Sequence, residues 1–182
     1  MRRLWVVLVL AAAGCAVRPE TVPGAAAPLT ATSPAPQFST LTMSGSGVTV
    51  AVPVPAGWTR KASTTAGITR TDVDLVDPQV LLRIDLSARG PGSARDGAVR
   101  TERSADLAAY HRLDITPVPD VGDDAVDWTF TFDRDGTRRV VDRQVLSGPA
   151  VVAVYFSAPQ ELYQRYLPVW QHAVEALSIT TS

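Results

Sequence analysis

The chain has 182 residues, 17 basic and 18 acidic side chains, a formal net charge of -1, 46% hydrophobic residues and 19% charged residues. That length holds one domain with appendages, and the apolar content is too high for general disorder. The balanced charge supplies neither a basic field for nucleic acid nor an acidic run for a basic partner, and with no asparagine N-glycosylation is excluded.

Met1-Arg2-Arg3 is a short positive region, followed by ten uninterrupted apolar residues from Leu4 to Ala13. Ten residues suit the apolar part of an export signal, whereas a membrane-spanning helix needs roughly 20. Ala12-Ala13-Gly14 then lead into Cys15, the sole cysteine. A single cysteine in an exported chain has no intramolecular partner. The stretch resembles a bacterial lipobox, which implies cleavage before Cys15 and acylation of its sulfur. Residues 1–14 are therefore read as a lipoprotein signal peptide. Loss of Arg2 and Arg3 with that peptide leaves 15 basic groups against 18 acidic ones. The expected place is the outer face of the cytoplasmic membrane, with secretion as the alternative. Acyl chains on Cys15 are the expected membrane contact, each buried methylene contributing about 0.8 kcal/mol.

Residues 15–36 form the lipidated cysteine and a linker reading AVRPETVPGAAAPLTATSPAP after it. Such a stretch cannot bury enough surface to offset its ordering entropy. Its prolines favour an extended spacer of about 3.1 Å per residue. The globular domain is expected over residues 37–182.

Within that domain FSTLTM, beginning at Phe38, has a strand pattern, and Ser44-Gly45-Ser46-Gly47 turns the chain. Residues 48–54 place Val48, Val50, Val52 and Val54 on one strand face. Pro53 cannot donate to a ladder, which places this strand at an edge or ends it. Trp58, after a Pro55-Ala56-Gly57 turn, is expected to plug the core. Residues 68–76 and 80–86 alternate and flank Asp77-Pro78, giving a second hairpin. Residues 96–112 are rich in helix formers and weakly amphipathic, so a partly exposed helix is expected there. Residues 115–121 read as extended and proline-punctuated. Val126, Trp128, Phe130 and Phe132 alternate in a strand that turns at Asp135-Gly136. A strand over 138–146 follows, then the nearly continuous apolar run 151–156, the candidate central strand. Ser157 as cap and Pro159 in the first turn begin a terminal helix. Its stripe is Leu162, Tyr166, Val169, Trp170, Ala173, Val174 and Leu177, with Pro168 kinking or dividing it.

These elements make an α+β fold: an antiparallel β-sheet flanked by helices, with a C-terminal amphipathic helix. Residues 52–58 (VPVPAGW), 127–132 (DWTFTF), the aromatic strand ending at Phe156 and the closing Leu177-Ser178-Ile179 resemble the LpqN/LpqT-type lipoproteins of actinobacteria. The arginine-for-lysine bias, with Lys61 the sole lysine, is similar to that of chains from GC-rich bacteria. The resemblance implies a PsbP-like α/β/α sandwich in the cell envelope that binds something, and it brings no catalytic residues with it.

Motifs that carry chemistry are sparse. His111 and His172 have no metal-ligand spacing and read as surface groups. Asp120, Asp123, Asp124 and Asp127 fit no calcium loop, and Asp133-Arg134-Asp135-Gly136 reads as a hairpin. No nucleophile motif and no phosphate-cradling glycine loop is present, so no cofactor, metal or catalytic residue is expected. Trp58, Trp128, Tyr155, Tyr166 and Trp170 are the candidate ligand-contacting aromatics, with core packing as their ordinary role. The expected function is a non-enzymatic lipoprotein binding a protein partner or small ligand. The alternatives are a carrier holding an apolar molecule under the C-terminal helix and, third, a hydrolase built from a scattered triad.

Overall fold

The computed structural model describes residues 36–74 and 79–181. Cys15, the signal peptide and the linker up to residue 35 lie outside the described residues, as does the Asp77-Pro78 turn. The elements run β1 (Phe38–Gly45), β2 (Val48–Pro55), β3 (Thr59–Thr65), β4 (Ile68–Asp74), β5 (Leu81–Ala88), α1 (Ala94–Ser104), β6 (His111–Pro117), β7 (Asp124–Asp133), β8 (Thr137–Ser147), β9 (Ala150–Pro159), α2 (Gln160–Glu175) and β10 (Ser178–Thr181). A seven-stranded sheet has the order β3-β4-β5-β9-β8-β7-β6, and a three-stranded sheet the order β1-β2-β10. Each of these pairings is antiparallel.

The large sheet buries both faces, but against different layers. On one face Val73, Leu82, Ile84, Leu86, Val152, Val154 and Phe156 pack with Val50, Val52 and Val54 of the small sheet and with α2. On the other face Val126, Trp128, Phe130, Val140 and Leu146 pack beneath α1. Ala94 and Ala98 are the buried residues of α1, and their small side chains let the helix lie close to the strands. That helix sits on β6, β7 and β8. Over β4 and β5 the same sheet face has no helical cover, and there the strands carry Arg70, Asp72, Asp74, Arg83 and Asp85, all partly exposed.

The α+β reading holds, with β9 in the middle of the large sheet as its apolar run requires. Several local expectations are corrected. The middle helix ends at Ser104 rather than Arg112, because residues from His111 leave the helix to pair with β7. Ala108 and Ala109 favour helix locally, but the chain reverses there, with Ala109 at φ 49°. Ser157 is not a helix cap: β9 runs on to Pro159, and Ser157 is buried within it. Pro168 sits inside one continuous helix rather than between two pieces. Pro53 does not mark an edge strand, since β2 is central in the small sheet, but the pairing with β10 reaches only as far as Ala51. Trp58 is partly buried and lies against the core rather than within it. Two strands, β3 and β10, had no counterpart in the sequence reading.

Candidate functional site

A row of directly opposed residues crosses the α1-bearing face of the large sheet. It runs Asp72, Arg83, Tyr155, Asp142, Trp128, Ile115, one residue from each of β4, β5, β9, β8, β7 and β6. Its last three members are buried and its first three are partly exposed. The row therefore passes from packed core to open surface at Tyr155.

On the open side lies a cleft of about 450 Å³. Its floor is β4, β5 and β9, through Asp72, Asp74, Leu81, Arg83, Tyr155 and Ser157; Phe132, Arg134, Asp135 and Arg138 from the β7–β8 hairpin form one wall. The volume lies in the range of small-molecule sites. A second depression, of about 470 Å³, runs along α1 past Arg95, Arg100 and Arg103. That one is floored by the exposed face of a single helix, with no sheet residue in its lining.

The charges of the cleft are arranged rather than mixed. Arg70 and Asp85 face each other across β4 and β5 and share two hydrogen bonds of 2.7 and 2.8 Å. One step along, the signs exchange strands: Arg83 Nε donates to Asp72 Oδ1 at 2.6 Å. Opposite charges at directly opposed positions support this hairpin's register. Asp74, at the end of β4, takes part in no hydrogen bond or ion pair among the described residues. Burial, then the neighbouring Asp72, raises its carboxyl above the usual range. Across the floor, Arg138 Nε donates to Ser157 Oγ at 3.0 Å and its Nη2 donates to the Gln79 carbonyl. Burial lowers the Arg138 pKa from its ordinary value, and the nearest described carboxylates form no ion pair with it.

Behind Tyr155, Asp142 is 6% exposed; its Oδ2 accepts from Gln144 Nε2 at 2.9 Å while Oδ1 has no partner. Burial pushes its carboxyl up to about 6, against the opposing effect of the Gln144 hydrogen bond. Burial likewise raises the Tyr155 phenol.

The five aromatic candidates are not brought together. Trp58 and Tyr166 meet edge-to-face at 6.3 Å on the α2 side. Trp170 is buried there, its indole N–H bonded to the Val154 carbonyl at 2.9 Å, with the Arg143 guanidinium 5.3 Å from its ring centre. Trp128 lies on the opposite sheet face, 4.4 Å from the Phe130 ring. Its indole donates to the Tyr110 hydroxyl, which itself donates to Glu102 at 2.5 Å. Tyr155 alone of the five lines the cleft. The acidic cluster also disperses: Asp123 accepts from Arg89, Asp124 from the Ala94 N–H, and Asp127 from Arg143. His111 lies exposed on β6, and His172 on α2 stacks at 4.2 Å against Phe38. Neither lines the cleft.

Asp72, Asp74, Arg83, Arg138 and Ser157 were missed as site residues. The one available signal was the alternating charge of residues 70–74 facing that of 83–85 in an expected hairpin.

Neither a family model nor a curated protein matches this chain. Solved structures do. The antiparallel sheet, with a helix on each face and the terminal helix packed across its centre, superposes on cyanobacterial PsbP (CyanoP) from Synechocystis sp. PCC 6803. The TM-score is 0.63 at 11% identity, covering 86% of this chain and 98% of that one. The protein of unknown function PA94 from Pseudomonas aeruginosa gives 0.53 at 14% identity, over 80% and 99%. LpqN, involved in cell envelope biogenesis of Mycobacterium tuberculosis, gives 0.49 at 13%, over 79% and 91%. The fold is PsbP-like.

Proposed function

We propose that this chain is a lipid-anchored domain on the outer face of the cytoplasmic membrane that binds a small polar ligand in the β4–β5–β9 cleft without turning it over. Cys15, behind its apolar run, supports the anchor. No helix among the described residues is long and apolar enough to cross a membrane, so attachment in this reading rests on acyl chains. The observation that carries the binding reading is the cleft itself: polar groups on a rigid sheet floor, beside a half-buried guanidinium bonded to Ser157 and to a backbone carbonyl. Rigid elements hold recognition groups more precisely than loops do.

The apolar-carrier alternative is less favoured, because the space it needs under α2 is occupied. Val152, Val154 and Phe156 are fully buried there, and Tyr163 and Trp170 fill the layer above them. A hydrolase would need a base beside a nucleophile. Ser157 has Arg138 as its neighbour, and the cleft lining includes no histidine.

The test is thermal denaturation of the full chain in detergent against a panel of small polar metabolites. A ligand at a hundred times its Kd raises stability by about 2.7 kcal/mol, a clear rise in Tm. The rise should vanish in Arg138→Gln. A rise that survives this substitution places binding elsewhere and contradicts the proposal.

A further inference from the structure

The cleft has two poles, and their separation specifies a class of ligand. This inference rests on the cleft being the binding site. At the β4 wall stands Asp74, a carboxylate with no hydrogen-bonded partner among the described residues. At the opposite wall stands Arg138, a guanidinium whose hydrogen bonds go to a hydroxyl and a carbonyl. Between them, Arg83 and Asp72 neutralise one another. An occupant therefore meets one negative pole and one positive pole, with a compensated floor between.

The register sets the distance. Asp74 opposes Leu81, and Leu81 opposes Ser157, the residue that Arg138 grips. Two strand spacings of about 4.8 Å put the poles about 10 Å apart. A charge-assisted hydrogen bond at each end takes about 2.8 Å. About 4 Å then remains for the ligand's own charge separation, close to the roughly 3.5 Å reach of one residue. Leu81 and Phe132 add apolar surface beside this axis. We infer that the cleft takes a compact zwitterion of the amino-acid class, its ammonium on Asp74 and its carboxylate on Arg138.

Titration calorimetry of the full chain in detergent tests this with alanine, N-acetylalanine, alaninamide and acetate. Alanine should bind, and capping either end should weaken it at least tenfold. In Asp74→Asn the penalty for N-acetylation should disappear, and in Arg138→Gln the penalty for amidation. The capped ligands act on the unaltered chain, so the first comparison needs no variant. Equal affinity for acetate and alanine, with Asp74→Asn silent, would overturn the zwitterion while leaving a polar binding cleft. No heat from any probe at millimolar concentration overturns the zwitterion, and the binding reading falls separately if the metabolite panel also fails to raise Tm.

Discussion

Asp142 on β8 and Tyr155 on β9 are direct cross-strand neighbours, yet one is sealed in the core and the other opens onto the cleft. Asp142 makes a single side-chain hydrogen bond, to Gln144, which cannot compensate a buried charge. Its pKa of about 6 in the fold lies above the ordinary 3.8. The folded state thus holds this proton more tightly than the unfolded chain does. The group's contribution is most favourable below pH 4, falls as pH rises through 6, and is then lost in full. The gap between the folded and ordinary values corresponds to about 3 kcal/mol.

Asp142→Asn should therefore stabilise the protein at pH 7.5, by up to about 3 kcal/mol. At pH 4.5 it should make little difference. Urea unfolding at the two pH values measures both, and an equal effect at each would show that Asp142 carries no such penalty.

A second expectation concerns ion pairs of different burial. Arg143 and Asp127 are opposed across β8 and β7, share bonds of 2.8 and 2.7 Å, and are 13% and 21% exposed. Arg143 also lies over Trp170. Arg143→Ala should cost about 2 kcal/mol, because it leaves a half-buried carboxylate alone and removes packing on the indole. Arg89→Ala breaks a pair with Asp123 that is 34% and 54% exposed, and should cost under about 1 kcal/mol. Chemical denaturation of both variants decides it; similar losses would contradict the distinction.

Backbone conformation supplies a third. Gly122 has φ +61°, and a Cβ there would lie 2.5 Å from the Leu146 carbonyl oxygen and 2.6 Å from Val145 Cγ1. Gly57, at φ +83°, has open space around it. Gly57→Ala should cost about 1 kcal/mol from strain alone, and Gly122→Ala clearly more, since backbone must move. Equal melting temperatures for the two variants would show that the Gly122 turn yields freely.

The anchor has its own expectation. Labelled fatty acid should enter the chain in vivo, and Cys15→Ser should abolish the label and release the protein from the membrane. Membrane retention of an unlabelled variant would overturn the lipid-anchor reading.

What could be read from the sequence follows from where water lies. β7 was legible because Val126, Trp128, Phe130 and Phe132 all turn into one core and the residues between them do not. β3 was not, because every residue of TRKASTT is exposed and leaves no alternation to detect. β6 buries only Ile115, too little apolar patterning to outweigh the helix-forming residues before it. β10 is four residues whose strand state comes from pairing with β2. The cleft was illegible for a different reason: Asp72, Arg83, Arg138 and Ser157 become neighbours only through the order β4-β5-β9-β8. Sequence separation hides such a group, and only Tyr155 was found, as an aromatic rather than as a cleft residue.

The cleft is tested most directly by where a bound small polar ligand perturbs the protein. Nitrogen-15 NMR of the full chain, titrated with a metabolite that raises its Tm, locates the site. Shifts should gather on β4, β5, β9 and the β7–β8 hairpin, with the Arg138 Nε signal among the largest. Shifts gathered on α2 and the small sheet, with Arg138 unmoved, would contradict it.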